Sequence, residues 1–228
     1  MCRLAAFPPN YSREKALKVL WPLNKENPDG FGYTYVDNER FIVKKWPYSY
    51  AVTSRYNQLL THMPYDGWTI AHLRWASHGK NKIENTHPFI YGNYATIHNG
   101  IWHEYYLIKQ ALKGFFKFKG QTDSEVAAFL IDKISPAKFF DETNYGVFLS
   151  LERNGNLHVM KCGGDLQALT LKNSVLMASE LKKTKAYDVQ QGYYVFDKSG
   201  KLEDKKVITP KINIVEQLYA NTYNTLGI

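Results

Sequence analysis

Cys2 directly follows the initiator methionine, and its small side chain permits ordinary methionine removal. The processed chain then carries a thiol and a free α-amine on one residue. That amine, with a reference pKa of about 7.7–8.0, is partly neutral near pH 7 and can take a proton from a thiol of reference pKa about 8.5. Nucleophile and base then need no separate catalytic histidine. Arg74, within AHLRWASHG, offers a planar fork for a carboxylate, although a strand arginine in a surface ion pair has the same local signature. His98-Asn99-Gly100 follows a strand-like run and precedes helical sequence, so a side-chain amide and an unhindered N–H meet at one turn. Such a pair can stabilise an oxyanion; Asn-Gly is equally a common hairpin turn. Asp123 opens a helical segment, either facing a cationic group or complementing the helix dipole. Cys162 precedes Gly163-Gly164 without a matching histidine or acid, and reads as a packed thiol.

These residues need elements to position them. Short β-branched and aromatic runs predict strands at CRLAAF, FGYTYVD, RFIVKK, WTIAHLRW, YATIH, GVFLSL, NLHVMK, SVLMAS and GYYVFD. GVFLSL and NLHVMK are joined by ERNG, whose Asn154-Gly155 predicts an antiparallel hairpin. Helical periodicity marks SREKALKVL, AVTSRYNQLL, HEYYLIKQAL and DSEVAAFLIDKI, the last with Val126, Phe129, Leu130 and Ile134 on one stripe and Thr122 or Asp123 at its N-cap. Strands and helices alternate without a β-α-β rhythm, which predicts α+β layers with antiparallel sheets.

The 228 residues are 44% hydrophobic and 15% aromatic, enough for a sizeable core and against disorder. One domain over residues 1–228 is expected, with a loosely attached tail from about residue 217. The start of the chain lacks a signal-like apolar region, and no run reaches the roughly 18 apolar residues of a membrane span, so a cytoplasmic location is expected. Two cysteines exclude a disulfide framework, and the scattered histidines match no zinc-ligand spacing, so neither metal nor other cofactor is expected. The net charge of +8, with lysines at 182–185 and 198–206, suits nucleic acid or an acidic partner, but no nucleic-acid motif accompanies it.

Taken together, AHLRWASHG, NTHPF, YATIHNGIWHEY and GQTDSEVAAFL resemble, in that order, the class II glutamine amidotransferases, whose nucleophile is an N-terminal cysteine. The glutaminase domain of glucosamine-6-phosphate synthase is the closest in pattern. The resemblance implies a four-layer αββα sandwich with two antiparallel sheets and Cys2 at an inner strand end. It further implies that Cys2 attacks the side-chain amide of L-glutamine. Arg74 would hold the α-carboxylate, with Trp75, Ser77, His78 and Gly79 closing the turn over it. Asn99 and the Gly100 N–H would form the oxyanion hole, His98 would organise that turn, and Asp123 would pair with the α-ammonium. Three departures stand out: Ser77 where threonine is common, Arg3-Leu4-Ala5-Ala6 where glycine-rich sequence is usual, and Asn27-Pro28-Asp29-Gly30 where an arginine usually precedes the turn. The implied function is ammonia release for a separate synthetase or transferase. Two other readings stay open: a γ-glutamyl amide hydrolase on the same scaffold, and a basic binding subunit that keeps the fold.

Overall fold

A computed structural model describes residues 1–25, 27–48, 63–64, 66–77, 79–103, 105–142 and 146–207. The expected helix at AVTSRYNQLL, the tail from about residue 217 and His78 lie outside the described residues.

Two antiparallel sheets account for every described strand. The first runs in the order β11(Tyr187–Asp188), β9(Gln167–Thr170), β10(Val175–Ala178), β1(Arg3–Phe7), β4(Thr69–Leu73), β2(Phe31–Asp37), β3(Arg40–Trp46). The second runs β13(Leu202–Val207), β12(Gly192–Phe196), β8(Leu157–Lys161), β7(Val147–Glu152), β6(Tyr94–Asn99), β5(Phe89–Tyr91). Strand alternation sorts side chains into layers, because successive residues point to opposite faces. On β1, Leu4 and Ala6 join Trp68, Ile70, Ile97, Val147, Leu149 and Val159 in the core between the sheets. Ala5 and Phe7 point the other way, against Ala16, Leu20 and Leu23 of α1(Arg13–Lys25). On β7, Phe148 turns outward to Ala127 and Ile131 of α3(Asp123–Ile134) and to Phe139 and Phe140 of α4(Pro136–Glu142). The result is helix, sheet, sheet, helix: the αββα sandwich that the resemblance implies. A further short helix, α2(Tyr105–Ala111), buries no residue.

The hairpin expected at Asn154-Gly155 is present, with Gly155 at φ 97° and Leu151 paired to Leu157. Thr122 is the cap of α3 and accepts the Glu125 N–H at 3.3 Å. In a reciprocal capping box Glu125 would return to the Thr122 N–H. Here its buried carboxylate accepts instead from the Gly120 and Lys119 N–H groups at 2.7 and 2.9 Å, tying the approach loop to the helix.

Candidate active site

Strand register brings the first group together. Arg3 pairs with Leu73, and continuing that antiparallel register sets Cys2 opposite Arg74. The Cys2 thiol reaches Trp75: Sγ accepts the Trp75 N–H at 3.4 Å and lies 3.5 Å from the Trp75 carbonyl oxygen. Arg74 is 2% exposed, and its fork donates to Gly79 O at 3.1 Å and Asn81 Oδ1 at 3.0 Å. A buried guanidinium needs several acceptors to offset its desolvation, so Arg74 fastens the loop after Trp75 as well as facing the thiol. Asp29 fastens the same loop from below, accepting from Ala76 N at 2.8 Å and Asn81 Nδ2 at 3.0 Å. Its own backbone N–H donates to Arg74 O. Trp75 is half exposed and Ser77 exposed at the rim.

The second sheet supplies the other group. Asn99 ends β6, is 2% exposed, and has neither Oδ1 nor Nδ2 hydrogen-bonded among the described residues. Gly100 follows, where a Cβ would come 2.7 Å from His98 Nε2 and 2.8 Å from Gly146 Cα. Only glycine lets these two loops pass so closely, and Gly146 meets the same ring with φ at 91°. His98 is stacked on Phe148 with ring centroids 4.0 Å apart. The Ser124 hydroxyl sits 3.2 Å from Asp123 Oδ1, and His98 Nδ1 lies 3.0 Å from that hydroxyl. If the hydroxyl proton is spent on the carboxylate, His98 must donate from Nδ1, giving a chain His98 to Ser124 to Asp123. Asp123 also accepts from the Trp102 N–H at 2.8 Å, which anchors the loop after Gly100.

Electrostatics join the two groups. Burial pushes the Cys2 thiol up, while the Trp75 N–H, the Arg74 charge and the chain N-terminus pull it down and Asp123 pushes it up. Both Arg74 and Asp123 are thus close enough to bear on the sulfur. His72 and His87, to which the sequence reading assigns no catalytic role, lie with ring centroids 3.8 Å apart between the sheets. His72 Nε2 lies 3.0 Å from His98 O, so this neutral ring carries its proton on Nε2. Burial holds His72 down to about 3 and His87 well below the usual imidazole range. Asp29, Asn81, Ser124 and Glu125 were not singled out as site residues. Only Glu125 had a local signal, the Thr-x-x-Glu spacing, whereas Asp29 meets Ala76 across 47 positions.

Cys162 packs beside the cluster of Phe139, Phe148 and Met160, and burial pushes its thiol up to about 12. The lysines of residues 198–206 lie on the turn and exposed edge strand β13, where charge protects an open sheet edge from pairing. Lys182, Lys183 and Lys185 are also exposed. No cluster of three or more metal-ligating side chains occurs among the described residues, and no described helix is long and apolar enough to cross a membrane.

Proteins similar to this chain in sequence and in fold are known. Glutamine–fructose-6-phosphate aminotransferase of Wigglesworthia glossinidia brevipalpis is 46% identical over 63 residues, covering 27% of this chain and 10% of that protein. The Streptococcus pyogenes serotype M1 enzyme of the same name is 36% identical over 87 residues, covering 37% of this chain and 14% of its own. The matched segments therefore span only about a tenth of these relatives. Among solved structures, the glutamine phosphoribosylpyrophosphate amidotransferase from B. subtilis superposes with a TM-score of 0.70 at 17% identity, over 93% of this chain and 50% of that one. A class-II glutamine aminotransferase domain protein from Silicibacter pomeroyi gives 0.62 at 14% identity, over 92% and 100%. At such identities these two show the fold alone. The family model of glutamine amidotransferases class-II matches residues 15–173, more than half of the sequence, and the chain belongs to that family.

Proposed function

We propose that this protein hydrolyses the side-chain amide of L-glutamine through a Cys2 thioester and delivers the ammonia to a separate acceptor enzyme. The observation that carries the reading is the Cys2 sulfur held against Trp75 where the charges of Arg74 and Asp123 both reach it. A cation and an anion flanking one nucleophile match the carboxylate and ammonium of an amino acid. In the reaction, the α-amine of processed Cys2 accepts the thiol proton and the sulfur bonds to the amide carbon. The oxygen takes up negative charge toward Asn99 Nδ2 and the Gly100 N–H. The amine then gives its proton to the nitrogen, the C–N bond breaks and ammonia leaves. Water attacks the thioester, the C–S bond breaks, and glutamate departs as the thiol is restored. Arg74 holds the α-carboxylate, with Trp75 and Ser77 over it, and Asp123 holds the α-ammonium. His98 positions Asn99 and Gly100 and touches no substrate.

The test compares samples of known intact mass, with Met1 retained and removed, for glutamate and ammonia release. Only the processed form should turn over, because a methionyl peptide bond removes the free amine. Equal rates would overturn the mechanism. Hydrolysis that rises when copurifying proteins are returned, and falls as salt is raised, supports the separate acceptor reached through the exposed lysines. Full, salt-insensitive activity of the isolated chain on larger γ-glutamyl amides would favour the independent hydrolase.

A further inference from the structure

Asn27 belongs to the segment in which this chain departs from its family pattern, and its surroundings give it work to do. The residue is 1% exposed. Its Nδ2 donates to the Met1 carbonyl oxygen at 2.8 Å, while its Oδ1 is buried without a hydrogen-bond partner among the described residues. Leaving such an oxygen buried and unpaired is costly, so the position calls for a donor. The Met1 carbonyl and the Cys2 nitrogen share one carbonyl carbon. When methionine is removed, that carbonyl leaves and the Cys2 nitrogen becomes an amine at the same spot. Asn27 then loses the acceptor of its Nδ2 and faces a new donor, and a half-turn of its amide presents Oδ1. Pro28 and the Asp29 bonds to Ala76 and Asn81 fix the segment from behind, so the Asn27 backbone has little freedom to follow other partners.

We infer that Asn27 is the positioning residue of the catalytic amine: its Oδ1 accepts one N–H of the processed Cys2 α-amine and turns the nitrogen lone pair toward Sγ. This inference rests on the thioester reading above, and it adds to it the group that orients the base. Asn27 exchanges no proton. It restricts the rotation of the Cα–N bond, so that the pair that removes the thiol proton and protonates the leaving nitrogen stays aligned.

The experiment uses the processed full chain with Asn27→Asp and Asn27→Ala. Intact mass checks methionine removal, and thermal melting checks folding. Two readouts follow: the pH profile of glutamine kcat, and the pH profile of iodoacetamide labelling at Cys2, which needs no glutamine. A carboxylate beside the amine favours the ammonium and disfavours the thiolate, so Asn27→Asp should move the acid limb of both profiles upward by about one pH unit. Asn27→Ala should lower kcat tenfold or more with KM for glutamine within about threefold, a split that loosened packing alone does not produce. If labelling shifts while processed wild type hydrolyses no glutamine, the positioning stands and the glutaminase reading fails. If wild type hydrolyses glutamine and neither limb moves in Asn27→Asp, the role of Asn27 is overturned. Should Asn27→Asp fail to fold, the kcat and KM of Asn27→Ala decide: unchanged kcat overturns the inference.

Discussion

Cys2 and Cys162 stand at strand ends of opposite sheets, yet their surroundings differ in kind. Cys162 follows β8, donates its N–H to Gly146 O at 2.9 Å, and so adjoins the turn that Gly146 makes against Gly100. Burial is the one cause of its raised pKa, and apolar rings surround it. Burial is the largest influence on Cys2 too and its thiol stays raised, but there a backbone N–H, a guanidinium and the chain terminus oppose the effect. The contrast teaches that neither burial nor position at a sheet end makes a thiol reactive; oriented donors and charges do.

The strongest way to break this comparison is to delete each sulfur. Cys2→Ala should abolish glutamine hydrolysis, and Cys162→Ala should leave it within about twofold, measured as glutamate release by processed protein of checked mass. The losses differ by the whole chemical step, since a nucleophile and its base supply several orders of magnitude. Activity that survives in Cys2→Ala and vanishes in Cys162→Ala would reverse the assignment. Asn99→Ala comes next. Removing one oxyanion donor typically costs about 10²–10³ in kcat, with the melting temperature held because no described residue bonds to the Asn99 side chain. A change in KM alone would place the oxyanion elsewhere.

Much of this site was legible in the residue order, for reasons that also explain what was not. Arg74 and Asn99-Gly100 follow strands with clear runs of β-formers, and Asp123 follows a threonine cap, so local signals placed them at element ends, while the family resemblance alone supplied their expected roles. Leu202–Val207 is a strand without such a signal: Leu-Glu-Asp-Lys-Lys-Val reads as loop, and only pairing with β12 on one side makes it an edge strand. Phe89–Tyr91 and Gln167–Thr170 are too short to alternate visibly. The run WTIAHLRW reads as one strand through Trp75, whereas the strand ends at Leu73; the Arg74 backbone still bonds to Asp29 and Gly30, and its fork turns into the 79–81 loop. Asp29 and Asn27 stood out only as part of a departing turn, because their partners are far along the chain and a turn signature says nothing of what its side chains will meet.

Charge flanking the thiol should matter less than the nucleophile or the oxyanion hole. Asp123→Asn keeps the shape but removes the anion, and should raise the glutamine KM roughly ten- to a hundredfold, the worth of about 1.5–3 kcal/mol for a charge-assisted bond. Arg74→Lys should raise KM by a similar factor and also lower the melting temperature, because Gly79 O and Asn81 Oδ1 lose their shared donor. This second effect distinguishes the two residues: Asp123 lies partly exposed at a helix start, whereas Arg74 is buried and braces a loop. Unaltered kinetics in both variants would move the amino-acid site elsewhere.

The smallest effect sharpens the comparison through pH. His72 pairs across the sheet with Leu4, two residues from Cys2, and its stack with His87 is buried between the sheets. Burial holds His72 at about 3 and His87 well below the usual range, so these two stay neutral in the fold while an unfolded imidazole titrates near 6.5. Below that value the unfolded chain binds the extra protons, so stability is complete above about pH 7 and declines as pH falls, continuing for His72 until its folded value is reached. Each such histidine withdraws on the order of 1 kcal/mol between pH 6 and pH 5, or about 2–4 °C of melting temperature for a chain of this size. Carboxylates enter at lower pH: the lowered Glu152 adds its own loss only as pH falls through and below about 4.5. Urea unfolding at pH 7.5 and 5.5 reads the histidine window by itself. The midpoint should drop, and His72→Gln, whose amide can still donate toward His98 O, should flatten the drop by about one histidine's share. A midpoint that does not change with pH would mean that the sheets beneath Cys2 admit charge, and that the electrostatic setting of this thiol is no drier than that of an ordinary surface cysteine.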